Sequence, residues 1–201
     1  LEQRDILFDM INKTAKNCFM PLTVGGGVSA VEDVRKLLLA GADKVSINSS
    51  AIKNPSLIAN ASETFGKQCI VIAIDAKKTN NKNIKSGYEV FSHGGTKETN
   101  LDALEWAKKC VLLGAGEILL TSMDNDGTKK GFNINLTKKI TNEISTPVIA
   151  SGGVGELEHF TKGAKEANAS GLLAASVFHY GKFTIQQVKK ALLQEGVPVR
   201  V

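Results

Sequence analysis

The chain repeats itself. Pro21-Leu22-Thr23-Val24-Gly25-Gly26-Gly27-Val28 returns as Pro147-Val148-Ile149-Ala150-Ser151-Gly152-Gly153-Val154, at an offset of 126 residues. One strand and helix later, Val45-Ser46-Ile47-Asn48-Ser49 returns as Leu172-Leu173-Ala174-Ala175-Ser176, at an offset of 127. A repeat of this span marks a duplicated unit and not a local motif. Each half must then fold in the same way.

The unit is read from its strands. Cys69-Ile70-Val71-Ile72-Ala73-Ile74 is a continuous apolar run, too short for a helix and without a polar side. It predicts a strand buried on both faces, as in a parallel sheet. The run ends in Asp75, and a sheet interior does not tolerate an unpaired carboxylate. Asp75 is therefore expected where the strand leaves the sheet, the end at which parallel α/β folds bind ligands.

The rest of the chain alternates. Helices are predicted over 4–18, from Ser29 to Gly41, over 54–65, 101–113, 135–143, 157–167 and 184–194. Ser29 with Glu32 three residues on reads as a capping box. Strands are predicted over 22–24, 45–48, 69–75, 117–122, 147–151 and 171–175, with Ser176 opening the loop after the last. Residues 76–100 break the rhythm as a long polar excursion, and Tyr88-Glu89-Val90-Phe91-Ser92 suggests a small hairpin within it. Six strands alternating with helices imply a parallel sheet. No Gly-x-Gly-x-x-Gly opens a first helix, so a dinucleotide fold is not indicated.

Small residues at the strand ends are the habit of the (β/α)8 TIM barrel, which needs eight strands. The repeat pairs strands three with seven and four with eight, which makes the strand of Asp75 the fifth. Its mate would end near 75 − 126 = −51. The expectation is a single partial barrel domain over residues 1–201: six βα units, strands three to eight, with the first two strands missing. The alternative is a six-stranded α/β fold in which the repeat is coincidental.

The 201 residues suit one domain with a sizeable core, and 42% hydrophobic with 22% charged residues excludes a disordered chain. Its apolar runs are strand-sized, so no membrane span is expected, and no signal peptide is visible. The net charge of +5 is scattered and reads as a solvated surface, not a nucleic-acid footprint. Cys18, Cys69 and Cys110 lack metal-ligand spacing and read as reduced core residues of a cytoplasmic protein. His93, His159 and His179 show no metal pattern either, and neither metal nor cofactor is expected.

Gly25-Gly26-Gly27 and Gly152-Gly153 expose backbone N–H groups before helices, and Ser49 and Ser176 stand at the ends of the neighbouring strands. Such nests favour phosphate oxygens. The repeat supplies the cradle twice, which suggests a substrate with a phosphate at each end; glycines also permit tight βα turns with no ligand. Asp75, Asp124 and Asp126 follow strands and can act as general acids or bases. Lys77 lies close to Asp75 as a possible partner. An Asp-Asn-Asp-Gly turn explains Asp124 and Asp126 without chemistry. Lys44 and Glu117 each begin a strand at the opposite face, and taken alone read as snorkelling surface residues.

The motifs Val24-Gly-Gly-Gly27, Gly41-Ala-Asp-Lys-Val-Ser-Ile-Asn48, Ala73-Ile-Asp-Ala-Lys77, Gly114-Ala-Gly-Glu-Ile-Leu-Leu-Thr-Ser122, Asp124-Asn-Asp-Gly-Thr128, Ile149-Ala-Ser-Gly-Gly153 and Ala174-Ala-Ser-Val-Phe-His179 cover the whole chain. It resembles the cyclase subunit of imidazole glycerol phosphate synthase, from histidine biosynthesis. The resemblance implies a (β/α)8 barrel that takes a bis-phosphorylated ribulosyl-aminoimidazole-carboxamide. Ammonia from a glutaminase partner on the N-terminal face, passing through the barrel, converts it to imidazole glycerol phosphate and an aminoimidazole carboxamide ribotide. Asp75 matches the second of the family's two catalytic aspartates. Gly27, Asn48 and Ser49 match one phosphate site, and Asp126, Gly127, Gly153, Ala175 and Ser176 the other. Lys44 and Glu117 match two of four gate residues for ammonia, and Asp43 a partner-facing position beside them.

The segment that would carry strand one, its aspartate and strand two is not in this sequence. The chain alone is expected to be inactive as a cyclase and to associate through unpaired strand edges. Rival readings are the phosphoribosyl isomerase of the same pathway, a cyclase paralogue delivering ammonia elsewhere, and a non-catalytic phosphate-binding scaffold. Leu119-Leu120-Thr121-Ser122, the ending Ala174 to His179, and Lys44 with Glu117 speak against the isomerase, which has no ammonia to admit.

Overall fold

A computed structural model describes the backbone of residues 2–200 and the side chains of residues 8–200. Ile6 and Leu7, which help to set the period of the first helix, lie outside the described side chains. In chain order the elements are α1 (Glu2–Ala15), β1 (Thr23–Gly25), α2 (Val31–Leu39), β2 (Lys44–Ile47), α3 (Ser49–Lys53), α4 (Ser56–Phe65), a 3-10 turn (Lys67–Cys69) and β3 (Ile70–Lys78). Then follow β4 (Tyr88–Ser92), β5 (Lys97–Asp102), α5 (Ala103–Leu112), β6 (Glu117–Ser122), α6 (Ile134–Thr141) and β7 (Val148–Ser151). The chain closes with α7 (Leu157–Lys165), β8 (Gly171–Leu173), α8 (Ser176–His179) and α9 (Ile185–Gln194).

Two compact units are present. The first comprises residues 1–73 and 109–117, the second 74–108 and 118–201. In the first, β1, β2 and the start of β3 run parallel, with Val24 opposite Val45 and Val45 opposite Ile70. The apolar run does what its composition requires: Ile70, Val71 and Ile72 are buried, as are Val45, Ile47, Val34 and Ile58. Each such side chain stabilises the fold by about 2 kcal/mol through burial.

In the second unit the end of β3 neighbours β6, followed by β7 and β8, all parallel. Leu120 faces Ala150, and Ser151 faces Leu173. The core is Phe132, Ala150, Val154, Phe160, Val177, Val188 and Leu192. Phe160 meets Phe132 edge-on at 6.3 Å between ring centres. These parallel βα units make an α/β fold of the TIM-barrel kind. Among the described residues β1 pairs only with β2, and β8 only with β7.

Several expectations are corrected. Asp75 does not end its strand. β3 runs on to Lys78 because the excursion folds back: Asp75 pairs with Phe91 and Lys77 with Glu89, antiparallel, and β4 then pairs with β5. The sheet thus has eight strands, six of them in the parallel series. The last strand stops at Leu173 because its partner β7 ends at Ser151, and 174–175 turn into α8. The α2 cap is one residue later than expected. Asp33, not Glu32, reaches back, and its Oδ2 accepts from Ser29 N, Ser29 Oγ and Ala30 N at 2.9, 2.9 and 3.1 Å. Glu32 instead pairs with Arg35. Cys69 and Cys110 are buried, whereas Cys18 is only half-buried and not part of the core.

Candidate functional site

The turn after β7 is built from glycine by necessity. Gly152 and Gly153 take φ 95° and 96°, a left-handed region that side chains resist. A Cβ on Gly152 would lie 2.8 Å from the Ser122 carbonyl oxygen, and one on Gly153 would lie 3.0 Å from that of Asn125. The turn is pinned from below by a polar chain. Gly131 N donates to Gly153 O at 2.7 Å. Asn125 Nδ2 donates to Gly131 O at 2.9 Å, while its Oδ1 accepts from Ser122 Oγ at 3.1 Å. Asn133 Nδ2 donates to Ser122 Oγ at 3.2 Å, and Tyr88 Oη donates to Asn133 Oδ1 at 3.3 Å. The hairpin strand β4 is thereby tied to the glycine turn.

A cavity of about 200 Å³ opens above this turn. It brings together Asp126, Gly127, Gly153, Ala175 and Ser176, five residues singled out in the sequence, and adds Lys129. Its volume is below the roughly 300–1,000 Å³ of a whole-ligand pocket, so it suits one end of a ligand. A lining of glycine backbone, Ser176 and Lys129 favours an anionic end, against the single carboxylate of Asp126.

The first unit holds the other copy. Gly26 and Gly27 take φ 104° and 67°, yet nothing lies within 4 Å of a Cβ built on either. Conformation, not crowding, calls for glycine there. Asn48 precedes α3 with φ −124° and ψ −94°, and Ser49 is the first residue of α3.

The carboxylates after strands divide by what they touch. Asp75 is half-buried on the same face of β3 as Lys77, whose Nζ lies over the Phe91 ring, 5.9 Å from its centre. Asp124 Oδ2 accepts from Lys78 N at 2.7 Å, so it caps the end of β3. Asp126 is exposed and stands on the cavity wall.

At the beginnings of the strands, Lys44 and Glu117 form an ion pair between Nζ and Oε1. Their side chains are 25% and 19% exposed, so the pair is more enclosed than a surface bridge. They do not stand as independent snorkelling residues. Asp43 beside them accepts from Leu22 N through Oδ2 at 2.7 Å, which ties β1 to the start of β2.

A model of the family described as histidine biosynthesis protein matches residues 1–184. The chain belongs to the histidine biosynthesis protein family. That family holds both an isomerase and a cyclase of the pathway, and the match does not divide them.

In this histidine biosynthesis protein His159, Cys69 and Cys110 sit in structural surroundings. His159 Nδ1 accepts from Gly155 N at 3.0 Å and Glu156 N at 3.1 Å, so its ring proton sits on Nε2. Burial pushes the Cys110 thiol up to about 12 and raises that of Cys69. Burial thus disfavours the thiolate, the reactive form, at both. Among the described residues no group of three or more His, Cys, Asp or Glu could hold a metal ion. No helix among them is long and apolar enough to cross a membrane. Sequence reasoning missed Asn125, Asn133 and Lys129. The only available signal was their place in the long β6–α6 loop, where binding residues gather.

Proposed function

We propose that this member of the family is the cyclase subunit of imidazole glycerol phosphate synthase. The observation that carries the reading is the Lys44–Glu117 ion pair at the strand beginnings. An isomerase admits no second reactant from that face, whereas a cyclase must receive ammonia there. Glutaminase is the proposed source, docking beside Asp43, in the cytoplasm. The cradle of Asp126, Gly127, Gly153, Ala175 and Ser176 takes one phosphate of the ribulosyl-aminoimidazole-carboxamide substrate. Gly27, Asn48 and Ser49 take the other. Asp75 serves as a general acid/base.

Cyclisation in that family uses a second aspartate, on strand one, which residues 1–201 do not contain. By themselves they are expected to bind substrate without turnover and to associate through the open sides of β1 and β8. The test supplies a strand-one and strand-two segment bearing an aspartate, then assays the ribulosyl substrate with and without ammonium. Imidazole glycerol phosphate formed only with ammonium supports the cyclase. Isomerisation of the ribosyl precursor without ammonium would establish the isomerase instead. Binding of both phosphates with no turnover in any mixture would mark a scaffold.

A further inference from the structure

The cavity above Gly153 carries a negative charge of its own. Asp126 lines it, and a carboxylate repels a phosphate dianion. One residue with a cationic side chain lines the same cavity, Lys129. Its backbone is unusual: φ is 60°, the left-handed region that costs a non-glycine residue about 1 kcal/mol. It is held there. A Cβ on Gly155 would lie 2.5 Å from Lys129 O and 2.7 Å from Lys129 Cβ, so the two backbones are in direct contact. Thr128 Oγ1 donates to Asn125 O at 2.6 Å, and Lys130 N donates to Thr128 Oγ1 at 3.3 Å, fixing the turn on both sides.

Lysines of α7 and of the α8–α9 loop are paired within the fold, whereas among the described residues Lys129 and its neighbour Lys130 are not. Lys182 pairs with Glu156, Lys162 with Glu158, and Lys165 with Glu195. Lys129 pairs with no carboxylate among the described residues. A strained backbone, an unmatched ammonium and a wall that otherwise carries only a carboxylate coincide at one residue. Backbone strain of this kind, held in place by its surroundings, gathers at functional sites.

We infer that Lys129 is the charge-compensating contact for a phosphomonoester dianion in the Asp126–Gly153–Ser176 cavity. This rests on the proposal that the cavity is a phosphate site. With Lys129 the wall is neutral, and without it the wall is net negative. The residue therefore sets the preference of this cradle for a dianion, whereas the Gly27 turn relies on other groups.

The test is a titration with inorganic phosphate at low salt, followed at the Gly153 and Ser176 amide resonances, with those of Gly27 and Ser49 as the internal reference. Lys129→Met is expected to weaken phosphate at Gly153 and Ser176 about five- to tenfold, and Lys129→Arg to restore most of it. Lys129→Gly relieves the φ strain, so it folds at least as well and still binds weakly. Lys130→Met, off the cavity wall, leaves affinity unchanged. Equal affinity of wild type and Lys129→Met overturns the assignment of Lys129 and leaves the phosphate site standing. An equal loss in Lys130→Met overturns it too, since it reduces the effect to net charge. No saturable shift at Gly153 and Ser176 in the wild type overturns both the phosphate site and this inference.

Discussion

Gly26-Gly27 and Gly152-Gly153 are copies of one turn, and they differ in what surrounds them. The second pair is buried, faces the carbonyls of Ser122 and Asn125, and is tied through Gly131 and Asn125 to the hairpin. The first is exposed, with nothing within 4 Å of where a side chain would begin. Both keep a positive φ, from 67° to 104°. The two turns share a conformation and differ in the packing beneath it. A cradle supported by a polar network is preorganised, so less ordering remains when a ligand arrives. An open one must be ordered by the ligand itself.

That difference can be broken by substitution. Gly153→Ala faces both the φ penalty and backbone collision, and is expected to destabilise the protein by about 3 kcal/mol or more in urea denaturation. Asn125→Ala removes the hydrogen bonds that join Ser122 to Gly131 and should cost about 2 kcal/mol. It should also weaken phosphate at Ser176 while leaving Ser49 untouched. Gly27→Ala meets only the φ penalty, about 1 kcal/mol. Equal losses at Gly27 and Gly153 would show that the two turns are packed alike after all.

The smallest expected effect is one of pH, at the carboxylates flanking the start of α7. A hydrogen bond from Lys182 holds the Glu156 carboxyl below its ordinary 4.5, and one from Lys162 does the same for Glu158. A carboxyl lowered by folding adds stability that is full above its unfolded value and is lost as pH falls through the lowered one. Thermal melts between roughly pH 3 and 6 should therefore show an acid slope that shrinks in Lys182→Met. An unchanged slope would remove this contribution from α7.

Much of this architecture is legible in the chain. The strand 117–122 was expected with the bounds it has, because Glu117 and the glycine before it frame an uninterrupted run of strand formers. Five of the residues that line the Gly153 cavity are singled out by the repeat and the resemblance. Other features depend on partners far away in sequence. Asp75 lies inside β3 only because Phe91 pairs with it. Lys44 and Glu117 are 73 residues apart, and no local pattern joins them. The helices α3 and α8 are too short to show a helical period. Ser29 followed by Glu32 imitates a capping box, but the shorter side chain of Asp33 reaches the same donors. A left-handed Lys129 leaves no trace in composition.

The proposed cyclase activity requires that ammonia enter the product made at these strand ends. It is tested most directly with 15N-ammonium and the ribulosyl substrate, on residues 1–201 completed by the strand-one and strand-two segment. The account predicts 15N in the imidazole ring of imidazole glycerol phosphate, lost in Asp75→Asn. An unlabelled product, or an isomerised one formed equally well without ammonium, would contradict it.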